Sequence, residues 1–144
     1  MSAASNKELA RRYTEEMWGH GDLEVGDAIF TSDFRDHTLM IGQGPGLEGL
    51  KQLIRTVRAA VPDYWAHVEQ ILADGDYVVL RWSSSGTHSA AFMGVPATGK
   101  RITFTGIDIY RVAGGQLAER WDEWNSGEVL AQLGLVPAAP QAGG

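Results

Sequence analysis

The apolar periodicity of this chain changes once, at Pro62, and that change limits the fold more than any other feature. Before it, apolar residues recur at helical spacing. Leu9, Tyr13 and Met17 share one face, and Leu50, Ile54, Val57 and Val61 form a second stripe that Pro62 closes. Ser5 and Glu8 have the spacing of a capping box for the first helix. WGHGD interrupts that helix, and a shorter one is expected over LEVGDAIF with Asp22 as its cap. GPGLEG has neither a preceding strand nor a following GK[ST], so it reads as a helix entry rather than a phosphate loop.

After Pro62 the period is that of strands. YWAHVEQILA and YVVLRWSSSGTH flank Asp74-Gly75, a hairpin signal; KRITFTGIDIYRV and QLAERWDEW flank Gly114-Gly115 and predict a second hairpin. GEVLAQLGLV adds a short helical turn. Helices followed by antiparallel strands predict an α+β fold, a curved antiparallel sheet wrapped by N-terminal helices into a cone with a pocket inside.

The 144 residues suffice for one domain, expected over 1–136, with the Pro, Gly and Ala-rich end at 137–144 as a flexible tail. The chain has no cysteine, which removes disulfides, thiolate zinc sites and cysteine nucleophiles and fits a cytoplasmic protein. A net charge of −6 argues against nucleic acid and anionic membranes as partners. No apolar run is long enough to span a bilayer, and MSAASNKELARR lacks the apolar stretch of a signal peptide.

The second hairpin places chemistry. In ERWDEW, Asp122 and Glu123 stand between Trp121 and Trp124, and strand alternation sends Asp122 and Trp124 to one face. A three-residue loop Ala113-Gly114-Gly115 would set Val112 opposite Gln116, Asp108 opposite Arg120 and Gly106 opposite Asp122. Ile102, Phe104, Asp108, Arg120, Asp122 and Trp124 then share a face suited to a pocket with apolar walls and a few polar groups. A two-residue turn would shift the register by one and separate Asp108 from Asp122.

FTSDFRDH, GLEGLKQLIRTVRAAVPD, GTH followed by FMGVPATGK, FTGIDIYR and RWDEW resemble the SnoaL-like polyketide cyclase family over about Leu9 to Leu135. The resemblance implies the cone-shaped α+β barrel of nuclear-transport-factor-2-like proteins and assembly as a homodimer or homotetramer. It also implies a cyclase without metal or cofactor, closing a ring of a hydrophobic polycyclic polyketide ester by intramolecular aldol condensation. The family aspartate matching Asp122 is the acid/base there. Relatives assigned to ring hydroxylation, and members without assigned activity, leave a hydroxylase and a non-catalytic binding module as alternatives. Ser89-Ala90-Ala91 departs from the Gly and acidic residue that relatives often carry, leaving a less charged mouth.

Asp122 is therefore the first catalytic candidate, because apolar walls raise a carboxyl pKa toward the range useful for a general base. Asp108 in the same cavity would split the two pKa values and leave one carboxyl protonated. His37 and His88, at family positions that are often polar, are candidate donors to an oxyanion, and Arg120 is a candidate to orient Asp122 or bind a carbonyl. An Asp-Arg-Asp set also suggests an epoxide hydrolase, though the order and spacing differ from that family. No pair of histidines has metal-ligand spacing, so no metal is expected. Tyr13, Trp18, Trp65, Trp82, Phe92, Met93, Phe104 and Trp124 are the candidate walls for a flat substrate, with FMGVPATG as a loop at the mouth.

Overall fold

A computed structural model describes residues 2–40 and 42–136; the proposed tail at 137–144 lies outside the described residues. Helix α1 spans Ala3–Arg12 and its N-cap is Ser2, whose hydroxyl accepts from the Ser5 N–H at 3.0 Å while Ser5 bonds back. The cap thus sits three residues earlier than Ser5, and Glu8 pairs instead with Arg11.

The helix continues over Tyr13–Gly19 in π-helical form. Thr14 Oγ1 donates to the carbonyl of Ala10 at 3.1 Å at the junction, in competition with the helical ladder. The wider turn brings residues five apart into register, and the Trp18 Nε1–H donates to the Tyr13 hydroxyl at 2.7 Å. A short α2, Val25–Ile29, has no side-chain cap, and Phe30 already begins a strand. The helix expected over LEVGDAIF is thus shorter at both ends, and Asp22 does not cap it. Helix α3, Gly46–Ala60, buries Leu50, Ile54 and Val57 and stops before Pro62. Helix α4 is Ser126–Gln132. No helix among the described residues is long and apolar enough to cross a membrane.

Five strands form one sheet in the order β1-β5-β4-β3-β2: β1 Phe30–Asp36, β2 Trp65–Asp74, β3 Tyr77–Thr87, β4 Arg101–Ala113 and β5 Gln116–Trp124. It is curved as expected and open, since β1 and β2 stand at its two edges, and it is antiparallel except that β1 lies parallel to β5. Register slips in β2 between Val68 and Gln70, and in β5 opposite Arg111 and Val112, add the local twist that bends the sheet around the helices. In the first hairpin Asp74 pairs with Tyr77, so the turn is Gly75-Asp76, one residue beyond the expected Asp74-Gly75.

The second hairpin corrects the expected register. Its loop is the two residues Gly114-Gly115, with φ of 56° and 78°, the positive pair that a type I′ turn needs. Val112 therefore pairs with Leu117, one residue out from the three-residue loop. Ala118 then bulges out of the ladder and moves the pairing by one more. The two shifts restore the original face, and Asp108 stands directly opposite Asp122 rather than Arg120.

Two apolar clusters fill the concave side. One is built around Tyr13, Met17, Ile54, Leu80 and Tyr110, the other around Val57, Tyr64, Ile102, Phe104 and Val129. Trp18, Leu53 and Trp82 touch both, and the candidate site opens at that seam.

Candidate active site

Along the concave face of β4 and β5, Asp108, Tyr110, Arg120 and Asp122 all point inward and are buried. Strand β1 adds Asp36 from the other side. Arg120 gathers the three carboxyls. Its Nη1 donates to both oxygens of Asp36 at 3.1 Å, its Nε to Asp108 Oδ2 at 3.4 Å, and its Nη2 lies 3.3 Å from Asp122 Oδ2. Its guanidinium also sits 5.7 Å over the Tyr13 ring.

The two facing carboxyls have opposite environments. Asp108 accepts from the Tyr110 hydroxyl at 2.6 Å and from the Trp82 indole at 3.1 Å. Burial works to raise its pKa, but Arg120 and these donors, with Asp122 alongside, outweigh burial and hold it below the usual carboxylate range. Asp122 is raised to about 9, by burial first and then by the adjacent Asp108 carboxylate, with Arg120 opposing. The pair thus favours one proton, with Asp122 as the carboxyl whose environment favours the neutral form, and Asp108 adds to the effect expected of apolar walls alone. Asp122 Oδ1 is buried without a hydrogen-bond partner, and Asp122 lines the cavity. Tyr13, Tyr64 and Tyr110 are all raised by burial and stay neutral.

Gly106 makes the Trp82 contact possible. It pairs with Trp82 on one side and Trp124 on the other. A Cβ at Gly106 would overlap the Trp82 ring, so no side chain fits where the indole reaches Asp108.

The cavity in front of Asp122 measures about 50 Å³, with Trp18, Tyr64, Trp82, Phe92, Phe104 and Trp124 among its walls. Behind it a chamber of about 30 Å³ is lined by Tyr13, Trp18, Tyr64, Trp82, Asp108 and Arg120 among others. In front lies a recess of about 290 Å³ that shares Met40, Leu53 and Phe92 with the cavity and adds Met93.

The expected residues thus divide. Asp122, Arg120, Trp18, Trp82, Phe92, Phe104 and Trp124 line the cavity, and Asp108 and Tyr13 the chamber behind it. His37 does not reach it. Asp36 takes the inward position on its strand, so the next residue points out; His37 stacks on Trp121 with ring centroids 4.6 Å apart and places Nε2 2.9 Å from Glu119. His88 is fully buried at the base of the 88–100 loop, where Nδ1 lies 3.0 Å from Thr98 Oγ1 and its backbone bonds to Lys100 and Gly99. It fastens that loop and does not line the cavity. Trp65 is 54% exposed on the convex face, stacked on His67. Met93, at φ +52°, is carried outward on a tight Phe92–Val95 turn and borders the outer recess alone. Asp36, Thr38, Met40, Leu53, Val57 and Tyr64 belong to the site although none was singled out from the sequence.

The family model for SnoaL-like polyketide cyclases matches residues 8–133. Among solved structures, a proposed polyketide cyclase from Bacillus cereus ATCC 10987 is 33% identical, with a TM-score of 0.81 over 92% of this chain and 82% of that one. AclR, a proposed hydroxylase from Streptomyces galilaeus, is 28% identical, with a TM-score of 0.84 over 97% and 87%. IdmH, a proposed polyketide cyclase from Streptomyces antibioticus, is 31% identical, with a TM-score of 0.76 over 90% and 98%. No match emerged among curated proteins.

Proposed function

We propose, for a chain that belongs to the SnoaL-like polyketide cyclase family, an intramolecular aldol ring closure in a hydrophobic polyketide ester, with Asp122 as proton carrier and no cofactor. The observation that carries this reading is the buried, unpartnered Oδ1 of Asp122 in the lining of a largely apolar cavity, where burial and the facing Asp108 favour the protonated carboxyl. A carbonyl oxygen of the ligand supplies the missing partner.

The chemistry begins with the acid. A β-dicarbonyl substrate enters as its enol, so no strong base is required. The enol carbon forms a bond to the second carbonyl carbon as Asp122 delivers its proton to that carbonyl's oxygen. The Asp122 carboxylate then takes the proton of the enol hydroxyl, which becomes a ketone. Product and substrate have the same mass, and the carboxyl is reset. A carboxyl raised by burial and by its ionised neighbour is protonated when the carbonyl oxygen needs a proton, and its carboxylate is basic enough to take the proton that the enol hydroxyl gives up. Asp108 stays ionised and holds the proton on its neighbour. A polycyclic ligand needs roughly 300 Å³ or more, so the reacting end occupies the inner cavity and the remaining rings the outer recess.

Chromatography with mass spectrometry on anthraquinone-type polyketide esters tests the reading. The expected product has changed retention and unchanged mass. A gain of one oxygen would instead assign the chain to hydroxylation, a gain of water to epoxide opening, and tight binding without turnover to a carrier.

The same reading extends to assembly as a homodimer through the convex face of the sheet. Leu72 pairs with Val79, Val79 with Ile109, and Ile109 with Trp121, so apolar side chains cross four strands in a row. Leu72 is 57% and Ile109 40% exposed. Light scattering after size exclusion should give twice the chain mass for the parent and the single-chain mass for Ile109→Glu. A monomeric parent at micromolar concentration would sink the assembly.

A further inference from the structure

Asp36 is the only member of the buried charge cluster contributed by β1, and its bonding sets it apart. It accepts four hydrogen bonds: two from Arg120 Nη1, one from the Thr38 N–H at 3.2 Å and one from Gln43 Nε2 at 3.1 Å. Its side chain is fully buried, and it takes the closest contacts that Arg120 makes to any carboxyl. A guanidinium carries one charge. With Asp36 on its Nη1, Asp108 on its Nε and Asp122 3.3 Å from its Nη2, one positive charge is shared among three carboxyls and cannot offset all three as anions.

On the reading of Asp122 as proton carrier, we infer that Asp36 is a positioning residue that acts through Arg120. By occupying one edge of the guanidinium it keeps that cation from drawing Asp122 into its ionised form, and so keeps the transferable proton in place.

Every group that faces Asp122 is consistent with this assignment. Strand β4 presents Asp108 and Tyr110, β5 presents Arg120, β1 presents Asp36, and Tyr13 and Tyr64 flank them from the π-helical segment and the residue just before β2. Helix α3 offers Leu53 and Val57, while its Arg58 is engaged by the carbonyls of Trp18 and Gly19 at 2.6 and 3.2 Å. The tyrosines are neutral, so the charge balance among the described residues rests on three carboxyls and one guanidinium.

Asp36 has a second task that must be separated from the first. Through Gln43, whose Oε1 accepts from the Met40 N–H at 3.0 Å, it tethers the segment carrying the cavity wall Met40. Through Thr38, whose hydroxyl accepts from the Asp122 N–H at 2.9 Å, it is linked to the β5 backbone. A purely structural role would act by these links and would not alter the proton affinity of Asp122.

The test is the carbon-13 titration of the Asp122 carboxyl in protein labelled at aspartate, assigned by its loss in Asp122→Asn. In Asp36→Asn, the Asp122 midpoint should fall by on the order of one pH unit, and the alkaline limb of the activity profile by the same amount. Gln43→Met, which cuts the tether and keeps the charge, should leave the midpoint where it is. Asp36→Glu, which keeps the charge should Asp36→Asn not fold, should hold the midpoint high. An unmoved midpoint in Asp36→Asn, an equal fall in Gln43→Met, or a fall in Asp36→Glu would each overturn the inference. The titration needs no substrate, so the inference and the catalytic reading fail separately: turnover retained by Asp122→Asn would end the latter and leave the midpoint comparison intact.

Discussion

Asp122→Asn should lose turnover by about 10²–10⁴-fold while gaining stability at alkaline pH. The loss follows from the role of the proton. An amide of the same shape keeps the contacts to Arg120 and the cavity walls but cannot deliver and recover a proton within the reaction, so binding should survive. The gain follows from linkage. The folded-state pKa of Asp122, about 9, lies above the value near 3.9 of an unfolded aspartate. Between those values the unfolded chain has released this proton and the folded chain has not. Stability from the protonated carboxyl is therefore complete below about pH 4 and is lost as pH rises to about 9. Asparagine removes that slope. At pH 8 the variant should be more stable than the parent by on the order of 1–3 kcal/mol, and at pH 4 the difference should nearly vanish. Urea unfolding at the two pH values, beside turnover at pH 7, reads both halves. A variant that keeps its activity ends the catalytic assignment; one that is less stable than the parent at pH 8 ends the account of the proton. Lost activity together with raised stability is the pattern of a residue kept for function against the interest of the fold.

How much of this was legible beforehand depends on what each feature leaves in the sequence. The order of helices and strands is carried by periodicity, and both hairpins by glycine. The shared face of Asp108, Arg120 and Asp122 survived an incorrect register because the bulge at Ala118 cancelled the parity change made by the shorter turn. Nothing in QLAER announces that bulge, since alanine packs in either arrangement. Strand β1 was missed because its inward positions are Phe30, Phe34 and Asp36, an apolar pair followed by a charge, with no run of branched residues. Yet Asp33, Arg35 and His37 alternate with Phe34 and Asp36, a period of two that was there to be read. Missing the strand meant missing Asp36 and turning His37 inward. The placement of His88 at the loop base and of Met93 on the outer recess is not legible for a different reason: both sit in a thirteen-residue connection, roughly positions 88–100, where side-chain direction follows turn geometry rather than any period. The π-helical stretch that aligns Tyr13 with Trp18 is equally silent in composition.

Arg120→Met should destabilise the fold by about 3–5 kcal/mol at neutral pH, because it leaves Asp36 and Asp108 buried as charges without a cation. That is a large share of the roughly 5–15 kcal/mol available to a domain of this size, so partial unfolding near 37 °C is expected. The direction with pH is definite. Deprived of Arg120, the largest influence offsetting its burial, Asp108 should have a folded pKa above its unfolded one. The stability it allows is then present below about pH 4 and lost as pH rises through the new value. The deficit of the variant should therefore be smaller at pH 5 than at pH 8, as urea unfolding at both would read. A deficit below about 1 kcal/mol at both, or one independent of pH, would contradict the view that Arg120 is the counter-charge of the cluster. The comparison with a further variant decides why the cluster exists. Combining Arg120→Met with Asp36→Asn and Asp108→Asn removes every unpaired charge, and most of the lost stability should return, since well-packed neutral groups serve a core as well as buried ions do. Activity should stay lost, because Asp122, still raised by burial, would no longer face the ionised Asp108 that adds to its proton affinity or the Arg120 that opposes it. Stability recovered without turnover would place the value of these four buried residues in proton control and not in holding the sheet together.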